Sequence, residues 1–178
     1  MNLRAFLLAA ILLSFERLCY IWVWRFPESF RALCRHPAVA VLGEPVTVLR
    51  KLFYGFKGLQ LAVFIGWCYL HGAGAWSFLH GHPLALAVGG AAIIAGQFLN
   101  FGVFYRLGRV GVFYGNKFGH KVPWSRELPF SLLKHPQYVG TVLSIWGFFL
   151  IMRFPHADWY LLPILETAYY TLGIRFER

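Results

Sequence analysis

Residues able to do chemistry gather in the second half of this chain. Gly111, Gly115 and Gly119 recur every four positions. Glycines at that interval let a backbone approach another backbone or a ligand closely. His135 precedes Pro136, and proline suits the first turn of a helix, where its missing N–H is harmless. The open N–H groups of that helix start would face an anion such as a carboxylate. His135 and Tyr138, three apart, would share one side of the entrance, either lining a pocket or anchoring the helix at an interface. Arg109, Lys117, Lys121 and Arg126 could hold a phosphate or could simply flank a membrane segment. Glu166 stands alone in an apolar run, and the chain ends on Arg175, Phe176, Glu177 and Arg178.

Other arrangements carry less. His71, His80 and His82 have neither cysteine nor carboxylate beside them, so they read as a polar loop and no metal site is expected. Cys19, Cys34 and Cys68 have no metal spacing and read as free thiols. No Gly-x-Gly-x-x-Gly follows a strand pattern, which disfavours a Rossmann-type nucleotide site.

The elements that must position these residues are apolar helices. Of the 178 residues, 58% are hydrophobic and 13% charged, against about 25% charged in a soluble domain. Aromatic residues at 19% suit helix ends at a lipid interface. The fold class expected is an all-α integral membrane protein with about five transmembrane helices, over residues 3–24, 46–70, 83–105, 137–152 and 159–174. The last two form a hairpin across a turn at 153–158. A short interfacial helix is expected at 31–36. Segment 83–105 has no charge at all, and its Ala91/Ala95 and Ala92/Gly96 pairs would let another helix approach. Gln97 and Asn100 would tie helices together or face a pocket.

Net charge is +10. The cations lie in the connectors 25–57 and 106–134 and at the C-terminus, not on one polar face, so nucleic-acid binding is not expected and an anionic membrane is. By the positive-inside rule both connectors face the cytoplasm, the N-terminus lies outside and the C-terminus inside. The N-terminus imitates a signal peptide, but Ser14 to Arg17 is no small-residue cleavage site, so it is expected to stay. Glu16 and Arg17 interrupt the first span, and Glu166 the last. Buried charges need partners, so the first and last spans should pack together with Arg17 near Glu166. The basic start of the second span, including Lys57, is expected at the headgroups.

Taken in order, Gly-x-Phe-x-Gly-x-x-Phe-Gly from Gly111, then Pro129-Phe130, then His135-Pro136-Gln137-Tyr138-Val139-Gly140, then a helix hairpin ending in glutamate resembles the integral-membrane methyltransferases. The pattern is most similar to the phosphatidylethanolamine N-methyltransferases and, more distantly, to the isoprenylcysteine carboxyl methyltransferases. The resemblance implies S-adenosylmethionine as cofactor and N-methylation of a phospholipid headgroup amine. It implies a cofactor site including Gly96, Gly115, Gly119, His135, Tyr138, Arg175 and Glu177, catalytic roles for His135 and Glu177, and lipid contacts from Lys117, Lys121, Arg126 and Glu166. An amine must lose its proton before attack; His135, Glu177 and Glu166 are the bases available. The family's Gly-x-Gly falls on Ile94, Ala95 and Gly96, its Glu-Glu pair on Glu177 and Arg178, and His135 stands where Asn is usual. The implied organisation is one membrane domain over 1–178, with N-terminal helices and connector in 1–80 and the catalytic part in 81–178. It would lie in a bacterial inner membrane or the endoplasmic reticulum, with its site at the cytoplasm. Alternatives are another acceptor, such as a prenylcysteine carboxylate or a small thiol, or a non-catalytic scaffold.

Overall fold

A computed structural model describes residues 3–71, 82–123 and 125–177. The described residues are all-helical, with no strand. Helix α1 spans Leu3–Arg25, α2 Pro27–Arg35, α3 Pro37–Ala40, α4 Pro45–His71, α5 Pro83–Val112, α6 Pro136–Met152 and α7 Leu161–Phe176. A 3₁₀ turn, Gly115–Phe118, follows α5. Proline opens five of these helices (α2 to α6), each at a position where its lost N–H breaks no hydrogen bond. The loop expected at 71–82 lies almost wholly outside the described residues.

Two stretches, Leu3–Arg25 and Pro83–Phe118, are long and apolar enough to cross a membrane. Their outer faces are unusually oily: Leu7, Leu8 and Ile11 on α1 and Ile94, Phe98 and Phe101 on α5 are exposed. A soluble monomer rarely leaves so continuous an apolar surface bare.

Helix α5 runs farther than the expected end at residue 105. It continues to Val112 past Gly108, whose φ of 62° and ψ of −177° break the helical path. A left-handed φ of this kind is open to glycine at little cost, so the start of the basic connector is helical and redirected.

Packing follows the order α4, α1, α7, α6, α5, each helix lying against the next. The tightest seam is α5 against α6. Gly89 meets Gly147 and Gly96 meets Gly140, seven residues apart on both helices and in opposite directions. A Cβ at Gly89 would sit 2.8 Å from the Gly147 carbonyl, and one at Gly140 2.6 Å from that of Gly96. The expected small-residue approach is therefore real, made by Gly96 of the expected pairs together with Gly89. Helices α4 and α5 at the two ends of the series meet sparsely, with Phe53 against Phe104.

The interior has two apolar clusters. One joins Ala9 and Leu13 to Phe64, Phe149 and Leu162. The other joins Tyr20 and Val23 to Leu49, Val103 and Phe113. Along α1 and α4 a polar layer separates them: Glu16, Arg17 and Gln60, each no more than 7% exposed. At the far end Arg153, also buried, clamps the α6–α7 turn by donating to Asp158 at 2.9 Å and to the His71 carbonyl at 2.7 Å. All three cysteines are free thiols.

The first and last long helices do pack together. The Tyr169 hydroxyl donates to the Ala10 carbonyl at 3.0 Å. Arg17, expected near Glu166 and shared with Glu16, gives its hydrogen bond to Glu16, while Glu166 is bonded by Gln60. Arg17 Nη2 donates to Glu16 Oε1 at 2.5 Å, and Glu166 accepts from Gln60 Nε2 at 2.7 Å. Lys57, expected at the headgroups, reaches inward instead. Its Nζ donates to Glu16 at 3.1 Å, Gln60 Oε1 at 3.0 Å and the Tyr170 hydroxyl at 2.9 Å. A long flexible stem lets a lysine rooted one turn away bring its charge to a buried carboxylate.

Candidate functional site

A cavity of about 250 Å³ opens where α1, α4, the end of α5, the start of α6 and the end of α7 converge. One water takes about 30 Å³, so the space suits a molecule. His135 is the residue before α6, with φ −131° and ψ 65°. Its ring stacks on Tyr138, the centroids 6.1 Å apart and the planes 16° from parallel. The predicted sharing of one side by His135 and Tyr138 is thus realised, and both line the cavity. Beyond Pro136, the first N–H groups of α6 have no earlier turn to bond with and point out of the helix start.

Glu177 closes α7 from the opposite side and also lines the cavity. Its Oε1 accepts from the Tyr114 hydroxyl at 2.6 Å, the short distance of a charge-assisted bond. Tyr114 holds φ 55° and ψ 32°, a left-handed backbone uncommon outside glycine. That conformation joins the end of α5 to the 3₁₀ turn and presents the ring inward, where it packs edge-on to Tyr20 at 5.7 Å and Trp24 at 5.3 Å.

The floor is the polar layer. Glu16, Arg17, Lys57 and Tyr170 all line the cavity. The Arg17 guanidinium lies 4.0 Å from the Tyr170 ring centroid and 5.3 Å from that of Tyr20, an arrangement in which aromatic faces share the burial of a cation. With Lys134 at the mouth, the lining offers three cations and two carboxylates among aromatic walls. Such a set can bind a zwitterion by both its charges and can hold an organic cation against a π-face.

The remaining expected residues are dispersed. Gly96 lies in the α5–α6 seam, where its missing Cβ serves packing. Gly115 is buried, with a Cβ excluded by the Val110 carbonyl, and Gly119 ends the 3₁₀ turn at φ 88°. Neither lines the cavity, whereas Gly111 does. Arg175, Lys121 and Arg126 are exposed and outside the lining. Lys117 rests its Nζ 3.9 Å over the Trp24 ring, and its carbonyl accepts from Arg31 at 2.7 Å. Glu166 is 2% exposed and also outside the lining. Sequence reasoning missed Lys57, Tyr20, Tyr114, Lys134 and Tyr170. The one available signal was the spacing of Lys57 and Gln60, three apart and so on one helical face.

Residues 84–178 match the family model described as phospholipid methyltransferase. Over 140 residues the chain is 34% identical to a phosphatidyl-N-methylethanolamine N-methyltransferase of Arabidopsis thaliana, covering 78% of this chain and 75% of that protein. No solved structure matches. The matched region contains α5, α6, α7 and the cavity residues they bring together, and the chain belongs to the phospholipid methyltransferase family.

Proposed function

We propose that the chain transfers a methyl group from S-adenosylmethionine to the amine of a phospholipid headgroup: phosphatidylethanolamine or its methylated intermediates. Family membership supports the class of reaction, and the name of the Arabidopsis relative favours a monomethylated amine as one acceptor. The observation that carries the reading is the pairing, across one cavity, of the Glu177 carboxylate with the open start of α6. The amino-acid end of the donor has an ammonium for the first and a carboxylate for the second. The donor, when bound, supplies an electrophilic methyl on a positive sulfur.

The protein's own share is position and charge. Tyr114 fixes the Glu177 carboxylate, and the His135–Tyr138 stack fixes one wall. Holding acceptor and donor in line accounts for most of what such a site can add, several kcal/mol. The headgroup ammonium must shed a proton before it has a lone pair. His135 and Glu177 line the cavity and can take it; Glu166, sealed against Gln60, is assigned instead to holding α4 and α7 together. Lys134 flanks the cavity with positive charge suited to a lipid phosphate, while the three N–H bonds of Lys57 are spent on Glu16, Gln60 and Tyr170.

In this reading α1, α4, α5, α6 and α7 all cross the membrane, as one domain over 1–178 in which 1–80 braces a catalytic 81–178. The cationic connectors and the donor site face the cytoplasm. The test is purified protein with methyl-labelled S-adenosylmethionine and vesicles containing phosphatidylethanolamine or phosphatidyl-N-methylethanolamine. Label recovered in lipid is the expected result. Donor binding with no label in any amine phospholipid would contradict the acceptor.

A further inference from the structure

A second cavity, of about 600 Å³, lies between α4 and the α5–α6 pair, where the series of packed helices is left open. Its walls are apolar, from Phe53, Leu61 and Phe64 on α4 and Phe101 on α5. Its floor is not. Gln97 and Asn100 of α5 and Gln137, Thr141 and Ser144 of α6 all line it.

Some of this polarity is spent internally. Gln97 donates to Ser144 Oγ at 2.9 Å, and Ser144 to the Gly140 carbonyl at 2.9 Å. Thr141 gives its one hydroxyl hydrogen to the Gln137 carbonyl at 2.9 Å, so its oxygen, 3.5 Å from the Asn100 side-chain amide, leaves that amide with N–H capacity to spare. Among the described residues the Asn100 amide nitrogen and the Gln137 side-chain amide have no hydrogen-bond partner. Both residues are half-buried, so their amides stay open to an acceptor that enters the groove. Two such donors in one groove call for acceptors from outside the chain.

The two cavities are neighbours: Phe53, Lys57, Gln137 and Thr141 line both. A molecule lying in the second would reach the first past the Lys57 side chain. The occupant must have acceptor atoms but need no donors at the amide level, apolar chains on one side and a charged headgroup on the other.

We propose that the groove between α4 and α5 seats the diacylglycerol part of the phospholipid acceptor, with the Asn100 and Gln137 amides donating to its ester carbonyls. The acyl chains lie along the phenylalanine and leucine walls, and the headgroup extends past Lys57 into the first cavity. This deepens, and rests on, the reading of the chain as a methyltransferase of lipid amines. It assigns the open seam to substrate selection: esters are recognised, and a lipid without carbonyls is not.

The test compares two acceptors that differ only there, dioleoyl phosphatidyl-N-methylethanolamine and its dialkyl ether analogue, in mixed micelles with labelled S-adenosylmethionine. The wild-type protein should show a KM roughly 5- to 30-fold lower for the diester, the size expected when one to two neutral hydrogen bonds are lost. Asn100→Leu and Gln137→Met, each checked for an unchanged thermal midpoint, should bring the ratio of the two KM values toward one. If Asn100→Leu fails to fold, Gln137→Met carries the comparison. Equal KM values for diester and diether in the wild type, or variants that discriminate as the wild type does, would overturn the proposal and leave the amides to water. Label in neither lipid would instead overturn the underlying reading.

Discussion

Lys57 sits one turn from Gln60 on α4 and gathers three acceptors from three helices. It joins Glu16 of α1 and Tyr170 of α7 to its own helix. Removing one member strands the others in a low-dielectric layer, which typically costs 3–5 kcal/mol. Glu16→Gln and Lys57→Met should therefore each lower the unfolding midpoint in detergent, while the double variant loses far less than the sum of the two. Full additivity would dissolve the network. Tyr114→Phe removes a hydrogen bond to a charge, worth about 1.5–3 kcal/mol. It should weaken S-adenosylmethionine binding by about tenfold in equilibrium titrations without lowering thermal stability comparably. The burial of Glu16 and Arg17 was legible from charges set in an apolar run. The inward reach of Lys57 was not, because a lysine near a helix start reads as a headgroup anchor whichever way its stem points. Tyr114 was hidden for another reason: nothing in its surroundings announces a left-handed backbone at a residue other than glycine.

At the scale of elements, the apolar runs located the long helices to within a few residues, the end of α5 apart. The end of α5 escaped, since Arg106 and Arg109 resemble a connector even though helix resumes past the break at Gly108 as far as Val112. The α5–α6 seam was half legible. Gly96 was identified as a small residue on a packing helix. Its true partner, Gly140, lay inside a motif and was read as part of a site. The seam gives a sharp contrast. Gly140→Ala places a methyl against a backbone carbonyl 2.6 Å away and should destabilise by about 1–3 kcal/mol, the usual cost of overpacking. Gly90→Ala, with nothing within 4 Å of its Cβ, should be neutral or stabilising by up to about 1 kcal/mol through helix propensity alone. Thermal unfolding of both variants in one detergent decides it; equal effects would deny the close approach.

For the molecule as a whole, the long apolar helices were legible from composition, and the order α4, α1, α7, α6, α5 was not. Apolar faces say that a helix is covered by lipid or protein, and lipid tails are as apolar as leucine. Only side-chain fit chooses between neighbours. The same ambiguity concealed the open side between α4 and α5. Of the candidate site, His135, Tyr138 and Glu177 were legible in motifs; Tyr20 and Lys57 come from α1 and α4, outside the family-matched region, and Tyr114, Lys134 and Tyr170 lie within it with no motif to mark them. The proposed five crossings place both basic connectors on one side. Single cysteines at exposed Arg35 and Arg126 should react together with a membrane-impermeant maleimide from the cytoplasmic face and stay silent from the other; opposite accessibility would undo that arrangement.

The central claim is that the cavity between Glu177 and the start of α6 holds the methyl donor. It is tested most directly by equilibrium binding of S-adenosylmethionine to the purified wild-type protein, to Glu177→Gln and to Arg35→Gln, which alters a charge outside the cavity. Loss of one charge-assisted contact of about 1.5–3 kcal/mol should weaken binding to Glu177→Gln by roughly 10- to 100-fold. Arg35→Gln should match the wild type, with all three proteins unfolding at the same temperature. A folded Glu177→Gln protein that binds the donor as tightly as the wild type would contradict the account.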